Sequence, residues 1–180
     1  MPLRNTNTTF GWLSRLIHWL MAVGLIAMLV FGTVLKTMEP SFANLWMYDA
    51  HKSFGLLLFM LVLLRIIWHR LSPPPAPLSG VPLWQERAAR WAHRTLYALM
   101  ILVPLSGWIG SAATGISVRF FGLRLPQVVP PSAALDTAGF AAHSLLTKLL
   151  MAVILLHVLG ALHRGFVSRD NSLRRITRGV

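Results

Sequence analysis

The chain has 180 residues, of which 55% are hydrophobic and only 12% charged, and its mean hydropathy is +0.61. A soluble domain carries about 25% charged residues, so this composition points to a polytopic membrane protein of one domain spanning 1–180. The formal charge of +12 does not mark a nucleic-acid binder, because the basic residues flank apolar runs instead of covering a soluble face. The absence of cysteine excludes disulfides, thiolate ligands, iron–sulfur clusters and covalent haem attachment.

The N-terminal residues 1–11 are polar, and no small-residue cleavage site follows the first apolar run, which is also too long for a signal peptide. That run, 12–35, reads as helix 1; Trp12 and Trp19 suit an interface and Arg15 can snorkel outwards. Helix 2 is expected over 46–70, followed by the proline-rich loop LSPPPAPLSGVPL, which cannot be helical. Helix 3 covers about 84–112, with an expected kink at Pro104. Residues 113–136 form the longest connection, within which GISVRFFGLRLP suits the membrane surface. Helix 4 runs from about 137 to 166, and the tail RDNSLRRITRGV is basic and polar. The fold expected is an all-α membrane protein, a bundle of four transmembrane helices.

Arginines crowd one set of helix ends, including Arg15, Arg70, Arg87, Arg90, Arg94 and Arg164. The opposite ends carry Lys36, Lys52, Arg119 and Arg124 together with Glu39, Asp49 and Asp136. The positive-inside rule then places both termini in the cytoplasm.

Histidines supply the chemistry. His143 and His157 on helix 4 are fourteen residues apart, which puts them within roughly 40° of one face and about 21 Å apart along the axis. Ionisable residues within a span are costly and suggest function. His18 lies about two turns inside helix 1 from the cytoplasmic end, level with His157. His51 lies one to two turns into helix 2 from the opposite end, level with His143. The pairs His18/His157 and His51/His143 therefore fall in two layers, each able to supply both axial imidazoles of a non-covalent b-type haem. Two haems stacked across the bilayer are expected.

Other positions share this register. Gly32 and Gly107 at the outer level leave room either for porphyrin or for close helix packing. Arg65, fourteen beyond His51, is a candidate partner for an inner-haem propionate; snorkelling to the interface is the alternative. Lys148, near mid-membrane, should face the bundle or be partly neutral. His69 is expected at the headgroups. His93, His163 and Arg164 are candidate donors to a quinone carbonyl near the inner haem, with interfacial snorkelling as the alternative.

These features together resemble the bacterial cytochrome b561 family. The matching stretches are IHW at Ile17–Trp19, HKSFG at His51–Gly55, the proline-rich loop, HRTLYALMILVPLSG at His93–Gly107, the His143/His157 spacing and RDNSLRR beyond it. The resemblance runs from about Trp12 to Arg175 and implies His18, His51, His143 and His157 as the four iron ligands. It also implies electron transfer to or from ubiquinone in the bacterial inner membrane, and, by similarity to bacterial members, oxidation of periplasmic superoxide. Lys52, Arg119 and Arg124 are candidates for steering that anion, although the acids on the same side keep the net bias modest. Two other readings remain open: a cytochrome b subunit anchoring a dehydrogenase or hydrogenase partner, and a haem-free transport or scaffold protein.

Overall fold

A computed structural model describes residues 2–179. Four long helices dominate: α1 (Trp12–Thr37), α2 (Leu45–Leu71), α3 (Leu83–Ala113) and α4 (Ala133–Leu162), the last continued by a π-helical turn (His163–Val167). Each is long and apolar enough to cross a membrane, with span hydropathies of 2.1, 1.9, 1.6 and 2.3. Their outward faces stay apolar: Val23 is 67% exposed, Val30 60% and Leu156 66%. Such a surface is stable only against lipid, where helices satisfy their own backbone groups. The protein is a multi-pass membrane protein.

Because the helices alternate in direction, the starts of α1 and α3 and the ends of α2 and α4 share one end of the bundle with both termini. We call this the terminal end and the opposite one the loop end. The helices form two layers. α3 packs most extensively on α4 and α1 packs on α2, whereas α2 meets α3 more sparingly and α1 scarcely touches α4. The terminal half of the core is filled by Ile17, Met21, Val62, Leu96, Leu99, Met100 and Leu150. α3 runs unbroken through Pro104.

Glycines explain why α3 and α4 pack so closely. A Cβ on Gly139 would lie 2.6 Å from the Gly110 Cα and 2.7 Å from its N, so the two backbones touch where neither residue has a side chain. A Gly139→Leu protein is therefore expected to lose about 1–3 kcal/mol or more, as overpacked cores do. A clear fall in thermal unfolding temperature in detergent would show it; an unchanged one would mean the helices part freely here.

α4 begins four residues earlier than its hydropathy suggested. Ser132, directly after Pro130 and Pro131, caps the helix by accepting from the Leu135 N–H at 3.3 Å, an N-cap signal that precedes the apolar run. The connection 113–136 is likewise more ordered than a surface segment. It forms a two-stranded hairpin, β1 (Arg119–Phe120) and β2 (Leu123–Arg124), in which Arg119 faces Arg124. Its turn places Phe121 at φ 46 and Gly122 at φ 90. A left-handed phenylalanine is unfavourable, and α2 holds it there. Ser53 Oγ accepts from the Phe121 N–H at 2.9 Å, and the Phe54 and Phe121 rings meet edge to face at 5.3 Å.

The tail is not a free basic strand. It forms α5 (Ser172–Thr177) and folds back across the terminal end. Arg15 donates to the Thr177 carbonyl at 3.1 Å, Trp19 Nε1 to Ile176 at 3.2 Å, and Arg175 to Ala76 of the proline-rich loop at 3.0 Å. The outward reach of Arg15 thus ends in a helix-to-tail bond. Arg164 Nε meets Asp170 Oδ2 at 2.6 Å, closing the π turn onto the tail. Partial burial works to raise the Asp170 carboxyl, but hydrogen bonds from the Ser172 hydroxyl and N–H and from Arg164 outweigh it and hold it below the usual carboxylate range. A carboxyl depressed on folding stabilises the clamp fully above its unfolded value near 3.9 and loses that contribution as the pH falls through the lower folded value. The protection of the amides in 168–178, measured against their intrinsic exchange rate at each pH, should accordingly fall at acidic pH, and at neutral pH in Asp170→Asn. Equal exchange in that variant would show that the clamp does not hold the tail.

Candidate functional site

The histidines on α1, α2 and α4 meet across the gap between the two helix layers. At the terminal end the His18 and His157 ring centroids are 6.4 Å apart; at the loop end those of His51 and His143 are 6.3 Å apart. Two imidazoles bound to opposite faces of one metal, with bonds of about 2.0–2.1 Å each, would put their centroids roughly 6–6.5 Å apart. Both pairs have the spacing that an iron between them requires.

The loop-end pair carries a further sign of ligation. His143 Nδ1 lies 2.8 Å from the Val103 carbonyl on α3. A carbonyl can only accept, so Nδ1 carries the proton and Nε2 keeps its lone pair for a metal. Histidine ligands are commonly oriented in this way by a backbone carbonyl. His51 Nδ1 is buried without a protein partner. Glycines make room for both rings. A Cβ on Gly107 would fall 2.9 Å from His143 Nδ1, and one on Gly32 would fall 3.1 Å from His51 Cε1. The space at these two positions is taken by imidazole, not by a helix–helix contact. His51 and His143 also line one cavity, with Lys52, Gly107, Trp108 and Ser111 among its walls. The ring spacing thus suits a bis-imidazole-ligated metal at each level, with a cavity beside the pair at the loop end.

The terminal level is richer in polar groups than the sequence reading foresaw. The His93 ring lies 5.2 Å from that of His157, about 1 Å too close for the two to sit trans on one metal; His18 is the better-spaced partner. Arg65 does not snorkel. Its Nε donates to Tyr97 Oη at 3.0 Å and its Nη1 to the Ser14 carbonyl at 3.2 Å. His69, in the last turn of α2, is turned towards α3: its Nδ1 is 3.4 Å from Tyr97 Oη and its Nε2 is buried without a partner. Trp68 Nε1 donates to Ser14 Oγ at 2.7 Å. Ser14 and Tyr97 were missed in the sequence. Each lies four residues from a histidine, Ser14 before His18 and Tyr97 after His93, and so shares its helix face.

The remaining candidates divide between the two ends. His163 is exposed on the π turn, whereas Arg164 is engaged by Asp170. At the loop end Lys52 pairs with Asp49 at 3.6 Å, and Ser53 beside it holds the hairpin that carries Arg119 and Arg124. Lys148 does not point into the packed bundle but is exposed. The buried face of α4 there is set by Leu150, 2% exposed, and two residues along a helix turn the side chain by about 200°.

The model of the family described as "Prokaryotic cytochrome b561" matches residues 9–179. The chain belongs to the prokaryotic cytochrome b561 family. Among curated relatives it is 31% identical over 180 residues to "Cytochrome b561 homolog 2" of Escherichia coli (strain K12), covering 98% of this chain and 95% of the relative. It is 30% identical over 161 residues to "Probable superoxide oxidase CybB" of Yersinia pestis, covering 89% and 90% of the two chains. A third relative, "Cytochrome b561 homolog 1" of Escherichia coli (strain K12), is 29% identical over 166 residues, covering 89% and 92%. As a cytochrome b561 the protein is a membrane electron-transfer protein, and the family implies b-type haem. This excludes the haem-free transport or scaffold reading.

Proposed function

We propose that this cytochrome b561 carries two haems b, ligated by His51/His143 at the loop end and His18/His157 at the terminal end, and moves electrons from superoxide to ubiquinone. The observation that carries the reading is the pair of ring separations, 6.3 and 6.4 Å, on helix positions fourteen residues or about 21 Å apart. Bound haem supplies a one-electron ferric/ferrous couple at each level. His18, His51, His143 and His157 would hold the iron, and with two imidazoles on each the electron would pass without the donor binding the metal.

The chain's own residues set the rest. Lys52, Arg119 and Arg124 make the loop end attractive to an anion. Val103 fixes the His143 ring, and Gly107 and Gly32 make room for the His143 and His51 rings. The arginine-rich terminal end lies in the cytoplasm of a bacterial cell by the positive-inside rule, and the loop end faces the periplasm. At the terminal end His93, beside His157, is the donor best placed for a ubiquinone carbonyl. His163 on the π turn is the second candidate, since such turns favour functional sites. Arg164 is less available because Asp170 holds it. Arg65 is within reach of the same level and suits a propionate. The balanced reaction takes two superoxide anions, one ubiquinone and two protons to two dioxygen molecules and one ubiquinol.

The test is anaerobic. Superoxide generated beside the pure oxidised protein should produce a reduced haem spectrum, and added ubiquinone should then reoxidise it. Reduction only by a co-purifying dehydrogenase or hydrogenase would replace this donor with a protein partner.

A further inference from the structure

Arg65 is the feature of the terminal end that the relay above leaves without a necessary role. Its guanidinium cannot give up its proton, yet the two acceptors it meets, the Tyr97 hydroxyl and the Ser14 carbonyl, are neutral. Those bonds also fix where the charge stands. Ser14, with 0% of its surface exposed, lies one turn before His18 on the same face of α1. Tyr97 lies one turn after His93 on α3, and the His93 ring is 5.2 Å from that of His157. The cation is therefore pinned between the turn that presents His18 and the turn that adjoins His157. Val62, one turn before Arg65 on α2, is 1% exposed, and Arg65 itself is half-buried.

At the other level the cation next to the ligand is balanced by a carboxylate. The cation beside His51 is Lys52, which pairs with Asp49 at 3.6 Å, with 24% and 42% of the two side chains exposed. Both cations are half-buried, but a carboxylate at ion-pair distance cancels much of the Lys52 field, whereas Arg65 meets only neutral acceptors and its field acts over several ångströms. The two histidine pairs thus sit in unlike fields.

We propose that Arg65, held by Tyr97 and Ser14, makes the terminal-end centre between His18 and His157 the stronger electron acceptor and so gives transfer across the membrane its direction, loop end to terminal end. Adding one electron to a metal centre removes one positive charge, and a fixed neighbouring cation favours the less positive state. The sign is the same if a propionate approaches Arg65, because removing the guanidinium would then leave that carboxylate uncompensated. His18, His93, His157, His69 and Tyr97 are the other titratable groups around this charge, and none of them is a permanent cation. Arg65 acts here as a positioning charge, not as a ligand.

The inference rests on the two-level haem reading, and spectroelectrochemical titration separates the two. A purified protein with other than two haems fails that reading. In a di-haem protein, each centre is assigned in the His51→Ala and His157→Ala backgrounds. In the unsubstituted protein the terminal-end centre should titrate at the higher potential. Arg65→Gln, which can still hydrogen-bond Tyr97, and Arg65→Met should each weaken its reduction at least tenfold, which is 59 mV for one electron. The loop-end centre should change less than twofold, and Arg65→Lys should restore most of the loss. A loop-end centre of higher potential in the unsubstituted protein would overturn the inference even if no Arg65 variant could be purified. So would equal shifts at both centres in Arg65→Gln or Arg65→Met.

Discussion

Replacing His157 with alanine should leave one haem per chain where the unsubstituted protein holds two, with the loop-end spectrum intact. The expectation follows from separation: His157 and His143 are fourteen residues apart on α4, about 21 Å along the axis, so losing one imidazole does not disturb the other level. His18→Ala should have the same effect, while His51→Ala and His143→Ala should keep only the terminal-end haem. His93→Ala is the decisive control. Its ring is 5.2 Å from that of His157, too near for trans ligation, so both haems should remain while the KM for ubiquinone rises several-fold. The haem-to-protein ratio by pyridine haemochrome reads every variant. A His157→Ala protein with two haems, or a His93→Ala protein with one, would break the pairing.

Reversing charge on the hairpin should slow the reaction with superoxide without harming the fold. Arg119 and Arg124 stand directly opposite each other across β1 and β2, an arrangement that costs stability because like charges repel at this spacing. The hairpin is held instead by Ser53 and by the Phe54–Phe121 contact. Exchanging both arginines for glutamates keeps a like-charged cross-strand pair, so the hairpin is left about as it was and what is lost is the attraction of anions. In Arg119→Glu/Arg124→Glu, the second-order rate constant for haem reduction by superoxide at low ionic strength should fall about tenfold or more. Added salt should slow the unsubstituted protein and speed the variant, since screening weakens attraction in one and repulsion in the other. Stopped-flow measurement at two salt concentrations checks both signs. Identical salt dependence in the two proteins would remove the hairpin from the path of the anion.

The four spans, their alternating directions and the depth of each histidine were legible in the sequence. Hydropathy sets where a helix must start and stop in lipid, and a rise of 1.5 Å per residue turns position into depth. What depth does not give is azimuth. Arg65 and His69 have the right depth to reach an interface, and only the packing of α2 against α1 and α3 turns them inward to Ser14 and Tyr97. Lys148 shows the converse: its depth suggested an inward role, but the buried face of α4 is set by Leu150 and Gly139, and Lys148 lies off it.

The amino-acid sequence alone determined that the chain crosses a membrane four times and presents imidazoles at two levels, because both follow from apolar length and helical rise. The tertiary structure alone decided which polar groups converge: the ring separations, the carbonyl on His143, the hairpin docked on Ser53 and the Arg65 cation on Ser14 and Tyr97. Each of these depends on how one helix is rotated against another. That rotation is fixed by contacts between distant residues, such as Gly110 with Gly139, and leaves no periodic trace along the chain.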